Sequence, residues 1–182
     1  MLEREVKLRF ASVEEARAAV LAAGATPLRC RRLQEDALFD TADLALRRKG
    51  CVLRVRSESG RSLLTFKGPA QPGPMKLREE HETVVADGEV LACVFETLGL
   101  HVWFRYQKYR EEFAAEHVTI AVDETPIGTF VELEGSEDGI LAAAGALGRS
   151  PEDFIVDSYR SLFLKHRDAL DLPADEMVFA GE

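Results

Sequence analysis

The chain has 182 residues, 46% hydrophobic and 30% charged, and its 23 basic and 32 acidic side chains leave a formal net charge of −9. That length supports one domain with a sizeable core. The acidity argues against a general nucleic-acid binder, which needs a basic face to displace counterions, though it leaves room for a local basic pocket.

The opening stretch, LEREVKLRF, alternates as a strand does. Leu2, Arg4, Val6, Leu8 and Phe10 share one face, and Glu3, Glu5, Lys7 and Arg9 the other. SVEEARAAVLAAG follows with the signals of a helix: Ser12 as N-cap, Glu15 at the capping-box position and Gly24 as a stop. CVLRVR, SLLTFKG, MKLREEHETVV, VWFRYQKYREEFAA, HVTIAVDE and GTFVELEG then read as strands, rich in β-branched and aromatic residues. GPAQPGP (68–74) is a connection that cannot continue a ladder. DGEVLACVFETLGL, SEDGILAAAGALG with Ser136 as cap, and DSYRSLFLKHRDAL read as three further helices. Repeats and interdomain linkers are not evident, so residues 1–172 are predicted to form a single domain and 173–182 a loose tail. Many strands with few helices suggest a mainly β, α+β domain: an antiparallel sheet closed or nearly closed into a barrel, with helices packed outside. A mixed open sheet with helices on one side is the alternative.

No apolar run approaches the roughly 18 residues of a membrane span, and Met1-Leu2-Glu3 lacks the regions of a secretory signal. Cys30, Cys51 and Cys93 have no zinc spacing, the pattern of three reduced thiols in a cytoplasm.

The charged strand faces repeat. Arg54 and Arg56 share a side, as do Thr65 and Lys67. So do Lys76, Arg78, Glu80 and Glu82; Tyr106, Lys108, Arg110 and Glu112; and Glu132 and Glu134. Same-face neighbours lie roughly 7 Å apart, a spacing that suits successive phosphates of one chain. Any one such face could be solvated. Together, opposite apolar faces that can pack against helices, they describe a charged tunnel, whose charges must be countered inside. Glu3, Glu5, Asp123, Glu132 and Glu134 suit Mg²⁺ or Mn²⁺. Lys7, Arg54, Arg56, Lys67, Lys108 and Arg110 suit phosphoryl oxygens. His81, His101, His117 and His166 are scattered, Ser62 and Thr65 lack a nucleophile-elbow context, and GRSLLTFKG is not a P-loop. Trp103, Phe104 and Tyr106 could stack a base or simply pack a core. Tyr159 either closes a tunnel end or packs a helix.

Glu3-Arg4-Glu5-Val6-Lys7 resembles the E-x-E-x-K signature of the CYTH superfamily, the triphosphate tunnel metalloenzymes. The likeness continues in order through QEDALFDTADLAL, LRVR, LTFKGP, KLREEHE, RYQKYRE, VDETPIGTFVELEG and SYRSL, over about residues 1–165. It implies an eight-stranded antiparallel β-barrel around a tunnel, a divalent metal and a triphosphate-bearing substrate. By position it implies metal binding at Glu3, Glu5, Asp123, Glu132 and Glu134. Phosphate contacts are implied at Lys7, Arg54, Arg56, Lys67, Lys108 and Arg110, with Lys76 and Arg78 as further candidates. Glu5, Lys7 and Glu132 are the expected catalytic residues. The activity expected first is hydrolysis of inorganic tripolyphosphate or thiamine triphosphate. The alternatives are a class IV adenylyl cyclase, which uses the ribose 3′-hydroxyl in place of water, and a non-catalytic polyphosphate-binding module. The expected partner is a small-molecule triphosphate or polyphosphate, not nucleic acid or membrane, bound by a monomer or homodimer.

Overall fold

The computed structural model describes residues 2–170 and 176–180, with side chains left out at 168–170. Its strands are β1 (Leu2–Phe10), β2 (Thr26–Thr41), β3 (Val52–Glu58), β4 (Arg61–Lys67), β5 (Lys76–Val85), β6 (Leu100–Ala115), β7 (Val118–Thr125), β8 (Gly128–Gly135) and the short β9 (Glu176–Met177). The helices are α1 (Val13–Ala22), α2 (Ala45–Arg48), α3 (Gly88–Thr97), α4 (Glu137–Ala146) and α5 (Tyr159–Leu170). The strands follow one another antiparallel in the order β2-β3-β4-β5-β1-β8-β7-β6, and β2 pairs back onto β6, which closes an eight-stranded barrel. The open-sheet alternative is thereby excluded.

One large apolar core lies outside the barrel wall. Val6, Leu8 and Phe10 of β1 join Val131 and Leu133 of β8 against Ala16 and Val20 of α1 and Ile140, Ala143 and Ala144 of α4. Both helices start at serine caps, Ser12 Oγ accepting from Glu15 N (3.2 Å) and Ser136 Oγ from Gly139 N (3.1 Å). Because alternation sends the apolar residues of β1 outward, it sends Glu3, Glu5 and Lys7 inward. A second core closes one barrel end: Leu38, Phe104 and Phe130 meet Tyr159, Leu162 and Phe163 of α5 and Met177 of β9.

Three readings need correction. The stretch before Cys51, where no strand is predicted, holds the 16-residue β2. Its pairing with β6 is irregular between Pro27 and Arg29, between Arg29 and Arg32, and between Leu38 and Phe39, so strict alternation is broken. The tail is not loose throughout. Residues 176–177 pair parallel with β6, Met177 is fully buried, and Phe179 N donates to Gln107 Oε1 (3.2 Å); 173–175 and 181–182 lie outside the described residues. Leu2, placed on the apolar face of β1, is 63% exposed, because it sits at the strand's end beyond the helices that cover Val6 and Leu8. Among the described residues no helix is long and apolar enough to cross a membrane.

Candidate active site

The barrel encloses a cavity of about 1130 Å³. Twelve lysines and arginines line it against nine carboxylates, so a chain that is acidic overall has a cation-rich interior. All eight predicted phosphate contacts, Lys7, Arg54, Arg56, Lys67, Lys76, Arg78, Lys108 and Arg110, are in that lining, as are Glu3, Glu5, Glu132 and Glu134. Arg9, on the same face of β1 as Lys7, is outside the lining and stacks over Phe130 (4.9 Å).

On the β1–β4–β5 wall, Lys67 Nζ reaches Glu3 (2.6 Å) and Glu80 (2.9 Å), while Lys76 Nζ reaches Glu5 (2.5 Å). Lys7 Nζ lies 3.3 Å from both Glu5 and Glu132. Burial pushes Glu3 up, and the neighbouring Glu5 adds to it, giving about 7. Burial also acts on Glu5, but Lys7 and Lys76 outweigh it and hold that carboxyl well below the usual range. Burial acts against the charge of Lys7 too, but Glu5 and Glu132 outweigh it and keep the ammonium protonated.

The facing wall is built on Asp123, which is fully buried. It accepts from Arg110 Nε (2.7 Å) and Nη2 (2.5 Å), Lys108 Nζ (2.8 Å) and the Tyr159 hydroxyl (2.6 Å). Arg110 also contacts Glu132, and the Tyr159 ring lies under Lys7 (5.1 Å) and Lys108 (5.0 Å). Tyr159 therefore both packs α5 and closes the tunnel end. Burial, then the adjacent Arg110, pushes Lys108 down to about 8.

The third wall rests on a residue the sequence reading did not single out. Asp36 of β2 is 3% exposed and accepts bidentately from Arg56, at 2.9 and 3.1 Å, with Arg54 Nε 3.3 Å away. Gln34, Arg29 and Arg32 on the same strand converge on Glu58. For Gln34 and Asp36 the signal was the QEDALFD segment, which lies on a strand that the pattern alone did not reveal. Arg78 points differently from its prediction: its guanidinium donates to the carbonyls of Gly68 (2.9 and 2.6 Å) and Gly50 (3.0 Å), tying two loops to the barrel.

The carboxylate set divides when tested against a hard divalent cation. Glu5 lies directly opposite Glu134 across β1 and β8, and Glu3 is the neighbour of Glu5 along the same face of β1. Desolvation pushes the Glu134 carboxyl up, and Glu132 and Glu5 add to it. Mutual repulsion among oxygen donors is what such an ion relieves, so these residues fit one, and Glu132 adjoins them. Asp123 does not fit: it is outside the cavity lining and saturated by Lys108, Arg110 and Tyr159. Among the described residues no three His, Cys, Asp or Glu side chains are already gathered in metal-binding geometry; the carboxylates are turned instead toward cations.

Residues 1–155 match the family model described as the CYTH domain. The Methanocaldococcus jannaschii protein named "Putative adenylate cyclase MJ0240" is 31% identical over 143 residues, 72% of this chain and 82% of that protein. The solved structure of the PH1012 protein from Pyrococcus horikoshii OT3 is 27% identical, covers 88% of this chain and 98% of its own, and has a TM-score of 0.75. A Hippeastrum protein described as "Putative adenylyl cyclase HpAC1", with a dominant triphosphatase activity, shares the fold at 18% identity and a TM-score of 0.66, over 96% of this chain and 98% of that one.

Proposed function

This chain belongs to the CYTH domain family, and on that premise we propose that it is a divalent-metal-dependent hydrolase of a triphosphate-bearing small molecule, inorganic tripolyphosphate or thiamine triphosphate. The observation that carries the reading is the closed, cation-rich interior with carboxylates gathered where β1 meets β5 and β8. Arg54, Arg56, Lys67, Lys108 and Arg110 would bind phosphoryl oxygens along the tunnel by charge-assisted hydrogen bonds. Their present carboxylate partners keep them extended into the cavity and exchange for phosphate when substrate enters. Glu3, Glu5 and Glu134 would hold the metal ion, which supplies Lewis-acid stabilisation of charge on the phosphoryl oxygens. Hydrolysis adds the oxygen of water to the terminal phosphorus, breaks the bridging P–O bond and releases a proton. The electron pair stays on the bridging oxygen, so negative charge grows there. Lys7, held protonated between Glu5 and Glu132, offers that charge a fixed cation, while Glu5 and Glu132 orient the water.

The second reading is an adenylyl cyclase, favoured by the name of the Methanocaldococcus jannaschii relative. That name does not separate the two activities, since the Hippeastrum protein carries a cyclase name together with a dominant triphosphatase activity. Incubation with tripolyphosphate, thiamine triphosphate or ATP, in Mg²⁺ or Mn²⁺, decides between them when phosphate and cyclic AMP are measured in the same tubes. Phosphate release that stops in excess EDTA, and in Glu5→Gln, is the expected result. Cyclic AMP as the main product would overturn it.

A further inference from the structure

One end of the same cavity carries charge that the reading above does not use. Trp103 lies where the pairing of β6 with β2 slips: Leu38 faces Phe104 and Phe39 faces Val102, so Trp103 is the unpaired residue of a bulge. A bulge re-aims the side chain it carries, and here the indole joins the cavity lining. Two guanidiniums lie over its ring, Arg47 of α2 at 5.4 Å and Arg160 of α5 at 4.7 Å, and both line the cavity. Among the described residues, neither is ion-paired with a carboxylate, and Arg160 Nε is buried with no hydrogen-bond partner. This contrasts with the inner cations Lys7, Arg56, Lys67, Lys76, Lys108 and Arg110, each of which holds a carboxylate. Burial, together with the nearby charges of Arg47 and Arg167, works against the charge on Arg160.

The pair is held in place. Asp40, 1% exposed, accepts from Leu46 N (2.9 Å) and Arg47 N (2.8 Å) and so anchors α2 at this end of the barrel. Arg160 sits in the first turn of α5, beside Ser158 and Ser161, which also line the cavity. Stacked guanidiniums keep their N–H edges free, and those edges suit the oxygens of a phosphoryl group. The indole, already stacked against two cations, is less open to a base.

We propose that Arg47 and Arg160, braced on Trp103, form an anion subsite for the terminal phosphoryl group of a linear inorganic polyphosphate that extends from the inner cations to the end of the cavity that α5 closes. This rests on the reading that the tunnel holds a phosphate chain, and it selects inorganic polyphosphate over a substrate with an organic end. The test is equilibrium titration in Mg²⁺, at low temperature, of the wild type, Arg47→Gln, Arg160→Gln and the double variant. The probes are pyrophosphate, tripolyphosphate, tetrapolyphosphate and ATP. Each single substitution removes one charge-assisted contact, so the affinity ratio of tetrapolyphosphate to pyrophosphate falls about tenfold in each and further in the double variant. An unchanged ratio, in a wild type that binds polyphosphate, overturns this inference alone. A loss confined to ATP overturns it in favour of an organic end at this end of the cavity. A wild type that binds none of the inorganic probes overturns it together with the proposed function.

Discussion

Arg56 and Arg4 are both arginines on barrel strands, and only the direction of the side chain separates their roles. Arg56 enters the cavity and grips Asp36, whereas Arg4 faces outward, 3.8 Å from the exposed Glu137. Arg56→Ala should cost on the order of 1.5–3 kcal/mol of tripolyphosphate binding, about ten- to hundredfold in Kd. Arg4→Ala should change it less than twofold. Calorimetric titration of both compares them, and equal losses would mean that the strand faces are misassigned. Asp123 presents a different case. Its carboxylate is the shared acceptor of two buried cations and a tyrosine, so Asp123→Asn leaves Lys108 and Arg110 short of counter-charge. The expected result is a loss of about 3 kcal/mol in urea unfolding. Unaltered stability with abolished metal binding would instead restore Asp123 to the ligand set.

Among the elements, β2 decides most. Its irregular first half is fastened by Glu58 of β3, which accepts from Arg29 (2.6 Å), Gln34 (2.6 Å) and Arg32 (3.1 Å). Burial pushes Glu58 up, but Gln34, Arg29 and Arg32 outweigh it and hold the carboxyl at about 2, against an ordinary value of 4.5. A carboxyl held low in the folded state contributes stability that is complete above the ordinary value and is lost as pH falls from there toward about 2. Thermal melts from neutral pH down to about pH 3 should therefore fall less steeply for Glu58→Gln than for the wild type. Parallel curves would show that this network does not couple protonation to folding. At the opposite end α5 acts as a stopper, with Phe163 fully buried against Phe104 (ring centroids 5.8 Å apart).

The molecule as a whole reverses the usual arrangement of a small barrel, whose interior side chains ordinarily form a packed core. Here the main apolar core is between the wall and α1 and α4, and the interior is left to charges that neutralise one another incompletely. Such an interior gains from a ligand that neutralises it. Tripolyphosphate with Mg²⁺, at about 100 times its Kd, should raise the unfolding free energy by roughly 2.7 kcal/mol. Melts with neither, either and both measure this, and the absence of a shift with both together would mean that the tunnel does not take this ligand.

What the sequence determined alone was the direction of side chains on the regular strands. Alternation has a period of two, so once Val6 and Leu8 require apolar cover, Glu3, Glu5 and Lys7 must face the other way. The same logic placed Arg54, Arg56, Lys67, Lys108, Arg110, Glu132 and Glu134 in the cavity, and the caps Ser12 and Ser136 marked two helix starts. Tertiary structure decided what depends on partners distant in the chain. A bulged strand loses its period, so β2, with Asp36 and Gln34, became legible only through pairing with β3 and β6. Burial decided that Asp123 serves the wall, because its saturation depends on Arg110, Lys108 and Tyr159, which lie 13, 15 and 36 positions from it in sequence and meet it only in the fold. The placing of Arg47 and Arg160 over Trp103 has the same origin: a slip of register on β6, a short helix after β2 and the first turn of α5 converge at one barrel end.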